Sequence, residues 1–291
     1  MPKESGPVAL VVDPAKDGPV WIALQLVGAL ARLDPVSGAI DRIPLGAGSV
    51  PNSVILGRDG APWIVDVGRN AILKVDPRTR AVQVWPLPDA AGYVELNAAA
   101  FDSDRRIWFT GQTGVYGRLD PSTGDIQLWD APGEAGPASL VATPSGRLAY
   151  LSLSGGHVGS IEPATGGVET IAPPSPWQGP RRLAADGRGN LYVTEWNVGR
   201  LSRWDANAKT WKTWPLLGPR SRGFAVHVDE DTVWISDWGA NALLRFDPKA
   251  ERFQAFGFSQ PNANVRQIAG RQGEIWVAES GSDKVVRRRF K

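Results

Sequence analysis

The chain repeats itself. The runs "VWIAL", "PWIVD", "IWFTG", "LAYLS", "LYVTE", "VWISD" and "IWVAE" align so that Trp21, Trp63, Trp108, Ala149, Tyr192, Trp234 and Trp276 fall in register. Their spacings are 42, 45, 41, 43, 42 and 42 residues, which makes seven copies. Each copy has the same order of pieces: a small-residue or apolar segment, a Gly/Asp turn, the aromatic strand, a Gly or Asn turn, then a strand such as "ALARLDP". A Thr/Ser-Gly turn and a last strand such as "AVQVWPLP" complete it. Short strands of alternating polarity between turn residues read as an antiparallel meander. One meander cannot bury both its faces, but several arranged radially can, and a period of about 40–45 residues with four strands is the signature of a propeller blade. The expectation is an all-β chain, a seven-bladed β-propeller of four-stranded antiparallel blades filling residues 1–291 as a single domain.

The repeat also separates scaffold from exception. An aromatic recurring once per blade fills the space between sheets. The pairs Asp34-Pro35, Asp76-Pro77, Asp120-Pro121 and Asp247-Pro248 start turns, proline fixing φ and aspartate capping the backbone. The seventh copy, from about Val265 to Phe290, holds only three strands. Met1 to Ser5 are therefore expected to pair there as a short closing strand.

Composition removes whole classes of function. No cysteine is present, so disulfides, thiolate metal sites and cysteine nucleophiles are excluded. The net charge of +2 gives no broad basic face for nucleic acid, and Arg287, Arg288 and Arg289 read as a solvated edge strand. The longest apolar run, "VWIALQLVGALA", has 12 residues and is too short to cross a bilayer. "MPKESGPV" is not a signal peptide, so a soluble, cytoplasmic monomer is expected, or a periplasmic or secreted one if a leader precedes it. No phosphate loop, G-x-S-x-G elbow or H-E-x-x-H helix occurs, and no organic cofactor is expected.

Propeller geometry gathers the remaining candidates. The connection into each innermost strand, the end of the second strand and the turn after it share one face. Asn52, Arg181, Arg182, Arg222 and Arg266 therefore lie on the same face as Asp66, Glu195, Asp237 and Glu279, which occupy the fourth place counted from the aromatic. The carboxylates have two readings: anchors for the following turn, with Arg200 or Arg245 as partners, or oxygen ligands for a hard cation. Arg181, Arg222 and Arg266 likewise either neutralise those carboxylates or clamp an anion. His227, inside an innermost strand, is either a buried structural histidine or a channel residue. His157 reads as a solvated turn residue.

"VWISDWGANALLRFDP" is similar to the unit "LWFTEW-GAN-IGRL" of the virginiamycin B lyase (streptogramin B lyase) propellers, and the resemblance runs from "SGPVALVVD" to "IWVAES". It implies a magnesium-dependent lyase that opens a cyclic depsipeptide at its ester by elimination. It also implies histidines at the start of the innermost strands in the last two blades, and a metal-binding glutamate near the end of the last blade's second strand. The matching segments here are "RGFAVHV" (222–228) and "NVRQIAG" (264–270). They carry Phe224 and Arg266 at the histidine positions and Asn264 at a glutamate position; Glu279 is the counterpart of the metal-side glutamate.

Two functions follow. As an enzyme, the chain would hold Mg2+ or Ca2+ with Glu279, Asp237 and Glu195, stabilise an oxyanion with Arg266 and use His227 as base. As a binding protein, it would hold an anionic small molecule or peptide at the channel mouth with Asn52, Arg181, Arg222 and Arg266, between Trp196 and Trp238 as stacking walls. A lactonase-type metal hydrolase shares only the fold with this sequence.

Overall fold

A computed structural model describes residues 1, 3–134, 136–173, 175, 176 and 179–290, with only the backbone of residue 134. Its strands form seven antiparallel sheets in chain order, six of four strands and one of three. Helix among the described residues is limited to three single-turn 3-10 segments. The first strand of every sheet lines a central channel, so each copy of the repeat runs outward from the axis.

The ring is held by seven apolar clusters, one at each junction between neighbouring blades. Each contains one member of the aligned column: Trp21 joins blades 1 and 2, Trp63 blades 2 and 3, and so on to Trp276 between blades 7 and 1. These rings are at most 5% exposed. Burying one indole contributes about 4–6 kcal/mol before entropic costs, which explains why the column stays aromatic. Blade 4 departs from it with Ala149, and Trp204 and Trp211 of blade 5 pack against that junction. The Asp-Pro turns behave as scaffold: Asp34 Oδ1 accepts the N–H groups of Val36 and Ser37, and Asp76 Oδ1 those of Arg78 and Thr79.

Closure differs from the expected closing strand. Blade 7 keeps three strands, Val265–Arg271, Glu274–Glu279 and Lys284–Arg289. Met1 and residues 3–6 form turn and coil; residue 2 lies outside the described residues. Side chains do the joining instead. The Asp283 carboxylate accepts the N–H groups of Glu4 and Gly6 at 2.6 and 2.9 Å. Gln267 Oε1 accepts the N–H of Leu10, and Arg271 Nη1 donates to the carbonyls of Asp13, Ala15 and Gly18. The last strand also takes part: Arg287 donates to the carbonyl of Pro35 in blade 1, while Arg288 reaches back to blade 6 at the carbonyl of Gly257.

Candidate functional site

One irregularity recurs in every blade. The pairing of innermost with second strand slips just after the innermost strand begins, between Pro7 and Ala9, Pro51 and Ser53, Ala138 and Leu140, Pro180 and Leu183, Gly223 and Val226, and Val265 and Ile268. Blade 3 slips at the same level, opposite Thr110 and Gly111. A bulge of this kind frees a residue from the ladder and re-aims its side chain. The residues so released include Asn52, Arg181, Arg182, Phe224 and Arg266, and all five line a mouth cavity of about 280 Å³. A channel cavity of about 400 Å³ shares Asn52, Asn97, Arg182 and Arg266 with it.

The cationic side of the mouth is built by blades 5 to 7. Arg181, Arg182 and Arg266 line the mouth together, and the Arg182 guanidinium carbon lies 5.3 Å from the Phe224 ring centre. Phe224 stacks at 4.7 Å on Trp238, whose indole Nε1 donates to the carbonyl of Val265 at 2.7 Å. Thr194 fixes both sides of this pair: its Oγ1 accepts the Arg182 N–H at 3.2 Å and donates to the Phe224 carbonyl at 2.7 Å. Desolvation, reinforced by the positive charges of Arg266 and Arg181, pushes Arg182 down to about 10. Among the described residues no carboxylate lies within ion-pair distance of Arg181, Arg182, Arg222 or Arg266. The neutralising role open in the sequence is not what these arginines do.

The expected clamp is shifted. Arg181 and Arg266 line the mouth, but Arg222 packs over Trp196 at 5.5 Å and is replaced there by Arg182. Trp196 and Trp238 stand behind the wall, and the ring that faces the cavity is Phe224. Asn52 reaches the cavity while bridging three blades: Nδ2 donates to the Asn97 carbonyl at 3.1 Å and Oδ1 accepts from Gln25. His227 lines the channel, and burial lowers it to about 4, so it is neutral at ordinary pH. His157 is half-buried rather than solvated, edge-on to Tyr150 at 6.1 Å, and it borders a separate rim cavity.

The fourth-place carboxylates are turned into their own blades. Asp66, Glu195, Asp237 and Glu279 are all at most 1% exposed. Asp66 Oδ1 accepts the N–H groups of Val50 and Arg69, and Asp237 Oδ1 those of Arg222 and Ala240. Glu195 pairs with Arg200 at 2.9 Å and accepts from the Ser202 hydroxyl, and Glu279 accepts from the Ser282 hydroxyl. Arg245 packs over Trp234 instead of meeting Asp237.

The divalent cation implied by the resemblance finds no cluster of His, Asp or Glu ligands among the described residues. Mg2+ or Ca2+ needs about six oxygen ligands converging on one point. Asp237 Oδ2 is buried without a partner among the described residues, yet no group of three or more His, Asp or Glu able to hold a metal forms there. Glu195, Asp237 and Glu279 lie in three separate blades, Asp237 and Glu279 bonded to the turns that follow them and Glu195 to Arg200 and Ser202 of the next strand.

The sequence pattern of the virginiamycin B lyase family matches residues 1–288. The chain belongs to the virginiamycin B lyase family. No curated protein matches it in sequence. Among solved structures, the virginiamycin B lyase of Staphylococcus aureus is 19% identical, with a TM-score of 0.89 over 99% of this chain and 96% of the other. A streptogramin B lyase is 22% identical at a TM-score of 0.89, covering 99% and 94%. A catalytically inactive variant of the S. aureus enzyme with quinupristin is 19% identical at 0.89, covering 100% and 97%. Identities this low carry the propeller from one family member to another and nothing finer.

Proposed function

We propose that this family member is a binding protein that holds a small anionic molecule at its channel mouth, without turnover. The observation that carries this reading is the meeting of Arg182 and Arg266 in one small cavity where, among the described residues, neither has a carboxylate within ion-pair distance. Two guanidiniums brought together in a desolvated place repel each other, and a carboxylate, phosphate or sulfate seated between them offsets that cost through charge-assisted, bidentate hydrogen bonds. Phe224 supplies an apolar wall beside them.

The family's lyase activity is the weaker reading for this chain. The positions matching the family's histidines carry Phe224 and Arg266, and the carboxylates expected to hold the cation are engaged within their blades. His227 is the remaining base, and at about 4 it has little affinity for a proton near neutral pH.

Titration calorimetry with phosphate, sulfate and succinate is the direct test. Saturable binding of at least one anion is expected, weakened about tenfold or more in Arg182→Gln and Arg266→Gln and falling with ionic strength. Binding indifferent to both substitutions would sink the reading. So would magnesium-dependent ring opening of quinupristin by the wild-type protein.

A further inference from the structure

The mouth has two electrically unlike sides. Arg181, Arg182 and Arg266 belong to blades 5 and 7, and among the described residues the one carboxylate that lines the same cavity is Glu95 of blade 3. Seven blades in a ring place blade 3 across the axis from blades 6 and 7, so Glu95 belongs to the side of the opening opposite Phe224 and Arg266. Gln25, Asn52, Asn97 and Gln112 fill that half with neutral polar groups.

Glu95 is also an unexpected residue for its place. It precedes the innermost strand Leu96–Phe101 with φ +53°, and its carbonyl accepts the Gln112 N–H at 3.1 Å. Three other blades have a left-handed residue at this same opening, and they use Gly6, Gly179 and Asn264. Glycine and asparagine adopt this conformation readily, whereas glutamate does so at a local cost. Strain of that sort collects where function requires a particular side chain. The Glu95 carboxylate is exposed and, among the described residues, has neither an ion pair nor a side-chain hydrogen bond.

We infer that the mouth recognises a zwitterion, with Arg182 and Arg266 taking its anionic group and Glu95 taking an ammonium group across the opening. The inference rests on the anion reading and narrows it to a class: short peptides with both termini free. The mouth volume of about 280 Å³ lies near the lower limit of small-molecule sites, about 300 Å³, which suits a few residues. Peptides of two to four residues extend by about 3.3–3.6 Å per residue, so a length series samples the span between the two charges.

The test uses di-, tri- and tetra-alanine and Ala-Phe-Ala, each with free termini, N-acetylated or C-amidated, titrated into wild type, Glu95→Gln and Arg182→Gln. At least one free peptide is expected to bind, with N-acetylation weakening it about tenfold in wild type and not in Glu95→Gln. C-amidation is expected to weaken it similarly in wild type and not in Arg182→Gln. The inference is overturned if no free peptide binds, or if N-acetylation changes affinity less than about twofold. Succinate, which has no cation, separates the two ideas: Arg182-dependent succinate binding with indifference to acetylation removes the zwitterion and leaves the anion site standing. No Arg182-dependent binding of succinate, phosphate or sulfate, with amidated peptides binding as well as free ones, removes both. Glu95 is exposed, so Glu95→Gln leaves the packed core intact.

Discussion

Asp283 Oδ1 accepts the backbone N–H of Gly6 at 2.9 Å across 277 residues of sequence, and so ties the last blade to the first. Burial alone would raise this carboxyl, but the N–H donors of Gly6 and Glu4 outweigh it and hold Asp283 below its ordinary 3.8. A depressed carboxylate contributes stability above the unfolded-state value and loses it as pH falls through the folded one. Asp283→Ala is expected to cost about 1–2 kcal/mol at neutral pH. The difference from wild type should shrink below pH 3.8, as read by urea unfolding at several pH values.

Arg271 should matter more. Its Nη1 serves three carbonyls of blade 1, its Nε meets Glu274, and its side chain is only 8% exposed. Arg271→Met strands those carbonyls and leaves Glu274 short of its nearest cation. A loss of about 2–4 kcal/mol is expected, with amide exchange speeding up first along Pro7–Val12 and Val265–Arg271.

His227 titrates at about 4 because of burial, against 6.5 for an ordinary histidine. Between those values the unfolded chain binds a proton that the folded chain refuses. Stability therefore falls as pH drops from 6.5 toward 4 and recovers on the way back. His227→Asn should flatten that part of the stability–pH curve. An NMR titration should find the His227 ring neutral down to about pH 5, and a midpoint above 6 would contradict the burial argument.

Arg182 should trade stability for binding. Its charge is held against desolvation and two neighbouring arginines, so Arg182→Met relieves repulsion in the empty protein. The variant is expected to gain about 0.5–2 kcal/mol while losing the rise in Tm that phosphate or sulfate gives the wild type. A variant that melts earlier and still responds to these anions would contradict the assignment.

The blade pattern was legible because packing repeats it. Trp21, Trp63 and Trp276 each fill one junction, and the seven-fold spacing is the direct image of that demand. The mouth was less legible, since its residues come from bulges. Sequence reasoning named the openings Asn52, Arg181, Arg182 and Arg266, which line the cavity, together with the fourth-place acids, whereas the second-strand ends that line it are the fifth-place residues Gln25, Val67, Gln112 and Leu153. A shift of one residue moves a side chain to the other face of a strand. The doublet Arg181-Arg182 held the available signal, because two adjacent arginines straddling a bulge place one at the rim and one in the channel. Closure was missed for a different reason: an unpaired strand suggests a missing strand, and side-chain donors such as Arg271 leave no periodic trace.

The bulge at the head of each innermost strand has a further consequence. A residue that stands outside its own ladder can be exchanged with little effect on the sheet that carries it. Seven such positions at one level act as separately adjustable dials around a fixed frame. Phe224 and Arg266 are two of these dials, one apolar and one cationic, on sheets whose remaining ladders follow the common pattern.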